Sequence, residues 1–268
     1  APIPERYWHL MRLLLPGVRA VKGFSYYQLP VWQQIVNIMH PRLVVIRLND
    51  EEDLRQLVAL YRANILDGST VYVELFNEPN HPVERFVTLA DFRARYLAAA
   101  AYVHNLCPGW LICFPGLSPG FDMFGWLGRC EDLVESADAL GWHTYYNVTG
   151  NPLMQGDLLL RGQSAFPGKP LLVTEFCYTG GESGAPRPGR ELAPEYDEAM
   201  HWFAQQGVAA VFPFLLESDD PHWHEVGEVF DEDLARAIGS LVISSGDNGP
   251  GSGSNDSNSG SNGGTMSF

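Results

Sequence analysis

Positive charge is what this sequence has least of. Across 268 residues, 17 Lys and Arg stand against 32 Asp and Glu, a formal net charge of −15 at pH 7. Such a surface repels polyphosphates and anionic lipid, which argues against a nucleic-acid partner and against a membrane partner. Long apolar runs are missing as well: nothing approaches the roughly 18 consecutive apolar residues of a membrane-spanning helix. Cysteine is sparse. Cys107, Cys113, Cys130 and Cys177 form no C-x-x-C pair and lack the density of a disulfide scaffold, so they read as buried apolar fillers. There is no phosphate-cradling Gly-rich loop and no G-x-S-x-G elbow at a strand-to-helix turn. The opening residues also lack the basic stretch followed by an apolar one that marks a secretory leader.

What is present is enough apolar side chain for a sizeable core. Apolar residues make up 46%, aromatics 12% and charged residues 18%, the balance of a packed globular protein. Short β-branched runs alternate with amphipathic stretches, the pattern of a parallel sheet built from βα units. Strands are expected near 18–25, 43–48, 71–76, 110–114, 139–143, 171–176 and 208–215. Helices are expected over about 5–15, 31–39, 51–63, 89–105, 127–136, 153–161, 194–206 and 231–241. This is an α/β chain of the (β/α)₈ TIM-barrel type, an architecture of about 250 residues, but it is one strand short.

The C-terminal end offers a source for that strand. Residues 244–264 are almost entirely Gly, Ser, Asn and Asp, a flexible linker that cannot form a core. Thr265-Met266-Ser267-Phe268 follows and can extend as a strand. A linker of about 20 residues reaches about 25 Å, enough to let this tail dock beside the strand near Val18 and close the barrel. Residues 1–243 would then form a circularly permuted catalytic barrel whose first strand is 265–268. The alternative, equally open, is an interdomain linker with no role for the last residues.

In a parallel barrel the active site lies at the C-terminal ends of the strands. The strand at 71–76 runs into Asn77-Glu78-Pro79, and the strand at 171–176 carries Glu175 near its end. Carboxylates closing apolar strands are costly to bury without a purpose, so two of them at one barrel mouth suggest a working pair. Two carboxyls about 5 Å apart can divide labour, one attacking an anomeric carbon while the other protonates the departing oxygen.

Asn77-Glu78-Pro79 and Thr174-Glu175-Phe176, on these two strands, resemble the clan of (β/α)₈ retaining glycosidases that includes the cellulase-like and mannanase-like families. The resemblance implies Glu78 as acid/base, Glu175 as nucleophile and Asn77 as a contact to the sugar 2-hydroxyl. Arg47 and Asn49 close the strand at 43–48, where similar enzymes place an Arg that holds the nucleophile ionised. His143 and Tyr145 follow Gly141-Trp142, where the clan keeps a His or a Tyr beside the carboxylates. The last strand departs from the pattern: it offers Phe212 and Phe214 in place of a platform Trp, with Trp223 further on. Arg47, Asn49, Asn77, His143, Tyr145 and Trp223 are accordingly the candidate substrate-binding residues.

Other features read more blandly. Glu74 shares strand parity with Glu78 and is expected as a buried carboxylate paired with a basic group. His222 and His224, amid Asp219, Asp220 and Glu225, resemble a metal cluster but read as a solvated loop, and no metal site is expected. Tyr26, Tyr27, Phe121, Phe124 and Trp126 follow strands and can stack on sugar faces. The expectation is an extracellular or secreted, monomeric O-glycosyl hydrolase that takes a neutral β-linked carbohydrate as its partner and needs no cofactor. A carbohydrate-binding barrel without catalysis and a transglycosylase are the alternatives.

Overall fold

The structure, a computed structural model, describes residues 5–15, 17–82, 86, 88–146, 151–178, 187–213 and 231–241. Among these residues, seven parallel strands follow one another around a single sheet in chain order. They are β1 (Ala20–Phe24), β2 (Leu43–Leu48), β3 (Thr70–Leu75), β4 (Leu111–Phe114), β5 (Ala139–Tyr146), β6 (Leu171–Tyr178) and β7 (Ala210–Pro213). The helices are α1 (Glu5–Leu13), α2 (Leu29–Met39), α3 (Leu54–Ala63), α4 (Leu89–Leu106), α5 (Met123–Arg129), α6 (Glu131–Ser136), α7 (Gly156–Ala165), α8 (Gly189–Gln205) and α9 (Glu232–Ser240). A 3₁₀ turn, Glu51–Asp53, leads into α3. The two ends of the sheet come within 8 Å, Cα to Cα, between β1 and β7, so the sheet curls into a nearly closed barrel.

Two separate cores follow from this curl. Ala20, Val45, Tyr72, Cys113, Ala139, Leu172, Ala210 and Phe212 pack together inside the barrel, drawn from all seven strands. Side chains alternate across a strand, so the next inward positions are two residues on: Lys22, Arg47, Glu74 and Gly141. That second layer is where the charge lies. The larger core sits outside the sheet, beneath the helices, and includes Trp32, Phe92, Tyr96, Trp142 and Phe176.

Local chemistry sets several helix ends. The Thr88 hydroxyl accepts from Asp91 N at 3.1 Å and starts α4. Asp231 caps two helices at once: Oδ1 accepts from Leu234 N at 3.0 Å and Oδ2 from Gly189 N at 2.9 Å. A Cβ on Gly189 would lie 2.0 Å from Asp231 Oδ1, so only glycine fits there.

The expected element order is found, with shifts at the ends. The helix expected at 127–136 is two, broken at Cys130. The helix expected from Pro194 begins at Gly189 and carries Pro194 inside it. β5 and β6 run further towards the mouth than their apolar runs suggest. All four cysteines are free and buried, as fillers should be. No helix among the described residues is long and apolar enough to cross a membrane. Residues 244–268, Phe214, Trp223 and the His222 loop lie outside the described residues.

Candidate active site

Five of the described strands, all but β4 and β7, bring charged or polar residues to the same end of the barrel. Lys22 comes from β1, Arg47 from β2, Glu74 from β3, Glu78 from just beyond β3, His143 and Tyr145 from β5, and Glu175 from β6. Glu175 reaches its place through an irregularity. Trp142 pairs with Val173, but His143 pairs with Glu175, so the register slips by one residue at Thr174. A bulge of this kind re-aims the next side chain. Without it Thr174, two residues on from Leu172, would face the interior and Glu175 would face the helices.

The backbone before Glu78 is bent in the same service. Phe76 has φ 76° and Glu78 has φ 34°, left-handed values that non-glycine residues avoid. Strain of this kind persists only where surrounding contacts enforce it. Here Glu78 N donates to Gly116 O at 3.2 Å, fixing the turn against the loop after β4.

Glu175 is nearly inaccessible, its side chain 4% exposed, whereas that of Glu78 is 15% exposed. Arg47 Nη1 pairs directly with Glu175 Oε1. The same nitrogen donates to Asn77 Oδ1 at 2.8 Å, and Arg47 Nε donates to Asn49 Oδ1 at 3.1 Å. Asn49 and Asn77 thereby fix the guanidinium, which also lies 4.5 Å above the Phe24 ring. Lys22 Nζ lies 3.5 Å from Glu175 Oε1 and 2.7 Å from Glu74 Oε2. Tyr145 OH donates to Glu175 Oε2 at 2.5 Å and lies 3.3 Å from Glu78 Oε1. His143 Nδ1 is 2.8 Å from Glu78 Oε1, and the ring is fully buried.

These contacts set the charge of Glu175. Burial alone would push the Glu175 carboxyl up, but His143, Lys22, Arg47 and the Tyr145 hydroxyl outweigh it and hold the carboxyl at about 2. Burial, with Glu175 and Glu78 beside it, raises the Tyr145 phenol well above its ordinary range, so it remains a donor. Among the described ion pairs, neither Lys22 nor Arg47 reaches Glu78, whose ionic contact is His143. Glu175 is thus bound by Lys22 and Arg47, whereas Glu78, the more exposed of the two, meets His143.

Glu78, His143 and Glu175 each offer an atom, all within 4.8 Å of one another, as a metal site would. The chemistry of the set argues otherwise, because Lys22 and Arg47 already supply the positive charge that an ion would bring. Around the mouth, Tyr26 and Phe121 are exposed, while Tyr27, Phe124 and Trp126 are packed. The Arg161 guanidinium covers Phe124 at 3.8 Å. Of the aromatic residues expected to stack on sugar, Tyr26 and Phe121 are the exposed ones, although one face of Tyr26 is stacked on Phe24.

The structure brings together Arg47, Asn49, Asn77, Glu78, His143, Tyr145 and Glu175. Glu74 is buried and ion-paired as expected. Lys22 was not anticipated. Its signal was available, a lone lysine at the inward parity of the apolar strand Ala20-Val21-Lys22-Gly23-Phe24.

No family model matches the chain, and no curated protein matches it in sequence. Solved structures do resemble it. One is a GH128 (subgroup II) endo-β-1,3-glucanase from Sorangium cellulosum, 17% identical, with a TM-score of 0.66 over 87% of this chain and 94% of that one. Another is a GH128 (subgroup VII) oligosaccharide-binding protein from Cryptococcus neoformans, 17% identical, with a TM-score of 0.52 over 84% of this chain and 95% of that one. A third is a GH39 enzyme from Xanthomonas axonopodis pv. citri, 13% identical, with a TM-score of 0.52 over 77% of this chain and 54% of that one. At these identities the likeness is one of fold. The chain shares the barrel of these glycoside hydrolases, with no family assigned.

Proposed function

We propose that the chain is a retaining glycoside hydrolase acting on a neutral β-linked glucan. One observation carries the reading: carboxyl oxygens of Glu78 and Glu175 lie within 4.8 Å of each other at the barrel mouth, with Lys22 and Arg47 on Glu175 and His143 on Glu78. Retaining enzymes place their carboxyls about 5 to 5.5 Å apart, whereas inverting ones leave room for a water, at about 6.5 to 9.5 Å. Glu175, held ionised, attacks the anomeric carbon as the glycosidic bond breaks, and Glu78 gives its proton to the departing oxygen. Water then attacks the same carbon and yields its proton to Glu78, and the ester bond to Glu175 breaks. Asn77, with its amide oxygen fixed by Arg47, presents its NH₂ group to the sugar. Trp223 is kept as a proposed substrate-binding residue.

A β-1,3-glucan is the first substrate to try, because the Sorangium cellulosum structure is that of an endo-β-1,3-glucanase. The remaining proposals are a catalytic barrel over residues 1–243, a linker over 244–264, a first strand at 265–268, an extracellular location and a monomeric state. A second reading, a barrel that binds sugar without cleaving it, draws on the oligosaccharide-binding neighbour.

The test is reducing-sugar release from β-1,3-glucan and a panel of other neutral β-glycans, comparing the native chain with E175Q and E78Q. NMR of the first product anomer reports stereochemistry. Release of β-anomer that both substitutions abolish supports the proposal, and early α-anomer would overturn retention. Glycan binding without release would favour the binding barrel, and products longer than the substrate would point to transglycosylation.

A further inference from the structure

Lys22 and Glu74 form a buried pair directly beneath the two glutamates. The Lys22 side chain is 12% exposed and that of Glu74 1%. Three oxygens lie around the Lys22 ammonium. Nζ donates to the Thr174 carbonyl at 2.9 Å, is paired with Glu74 Oε2 at 2.7 Å, and lies 3.5 Å from Glu175 Oε1. The Thr174 carbonyl belongs to the bulged peptide that turns Glu175 inward, so Lys22 fastens both that backbone and the carboxylate. Glu74 has a second hold. Its Oε1 accepts from Gly116 N at 3.3 Å and lies 3.9 Å from His143 Nε2. The other ring nitrogen of His143 meets Glu78.

We propose that Lys22 and Glu74 are positioning residues of the catalytic pair: Lys22 fixes the nucleophile Glu175, and Glu74 neutralises Lys22 whenever Glu175 is esterified. The inference rests on the hydrolase reading above. Its electrostatic content follows from counting charge. In the free enzyme Lys22 and Arg47 balance Glu74 and Glu175. Forming the glycosyl ester removes the Glu175 charge, and Lys22 would then be buried without an anion if Glu74 were absent, a costly arrangement. The ionisable groups facing Glu175 are Lys22 from β1, Arg47 from β2, Glu74 and Glu78 from β3 and its loop, and His143 and Tyr145 from β5. Glu74 itself is held below the ordinary carboxylate range: burial pushes it up, but Lys22, His143 and Arg47 outweigh that.

Two readouts test this, one of which needs no substrate. The first is an NMR titration of ¹³C-glutamate-labelled protein, with Glu175 assigned by its loss in E175Q. The second is the acidic limb of the kcat/KM profile. K22M should weaken Glu175 as an anion by about tenfold to a thousandfold, raising both its titration and the acidic limb. K22R should restore the limb. E74Q should lower kcat/KM at least tenfold, on the order of one charge left unbalanced, without raising the limb. Residues that only supported packing would lower activity alike and leave the limb in place.

Where K22M does not fold, K22M/E74M carries the test, because replacing a buried ion pair as a unit by apolar side chains is often neutral to stability. Its limb should still rise, by less than that of K22M. A Glu175 titration at the native position in whichever variant folds, with turnover retained, would overturn the inference. A displaced titration in a native protein that cleaves no glycan would instead sink the hydrolase reading and leave the charge coupling standing.

Discussion

The Tyr145 hydroxyl donates to Glu175 Oε2 at 2.5 Å and sits 3.3 Å from Glu78 Oε1, so one phenol touches both carboxylates. A hydroxyl has one hydrogen, and here it goes to Glu175 Oε2, the nearer oxygen. Hydrogen bonds to a buried charge are worth about 1.5 to 3 kcal/mol, which is about one to two pH units in the titration of the charged group. Y145F should therefore raise the acidic limb of the kcat/KM profile by about that much and cut activity there. The loss should deepen towards acidic pH, because Glu175 loses a group that keeps it ionised. A pH profile equal in shape to the native one would show that the hydroxyl does not act on Glu175.

Metal removal should leave the site intact. Glu78, His143 and Glu175 have the spacing of a metal triad, but a divalent cation placed there would face Lys22 and Arg47 at close range. Like charges in a site of low dielectric repel strongly. Exhaustive dialysis against a chelator should leave glycan cleavage unchanged, and activity lost to chelator and restored by a metal would contradict this account.

Much of this site was legible because strand ends and parity are written in the sequence. Asn77-Glu78 and Glu175 close apolar runs, and Glu74 sits at an inward position, so their convergence follows from a parallel barrel alone. The bulge at Thr174 was not legible, because nothing in Leu171-Leu172-Val173-Thr174-Glu175 shows which residue will be left unpaired. Lys22 was missed because a lone lysine in a short strand ordinarily snorkels to solvent, so its inward parity was not read as a buried charge. The start of α8 was misread for a related reason. Pro194 is a common first-turn residue, but the cap that begins the helix comes from Asp231, 42 residues from Gly189 in the chain.

Gly116 leaves the room that His143 occupies. A Cβ at this position would lie 2.1 Å from His143 Cδ2 and 2.4 Å from Nε2, so the ring must move if any side chain is added. That ring holds Glu78 through Nδ1. G116A should destabilise the fold by about 1 to 3 kcal/mol, as overpacking does, and lower activity further than H143A alone. The double variant G116A/H143A removes the collision and should recover most of the melting temperature. Equal stability of G116A and the native chain would mean that the ring has another place to go.

Glu175 also ties stability to acid. Its carboxyl titrates at about 2 in the folded chain against an ordinary 4.5, so unfolding lets it bind a proton that folding excludes. A depressed folded value contributes stability that is fully present above about 4.5 and is lost as pH falls towards about 2. The difference is on the order of 3 kcal/mol for this one group. Glu74 is depressed as well and acts in the same direction. Melting temperature should therefore fall steeply across that window. In E175Q the chain should be less stable at neutral pH, because Arg47 and Lys22 lose an anion, yet its melting temperature should depend less on pH below about 4.5. Calorimetry across this range separates the two effects. A slope unchanged by E175Q would show that the acid sensitivity lies in other carboxylates and that Glu175 is not held ionised by its neighbours.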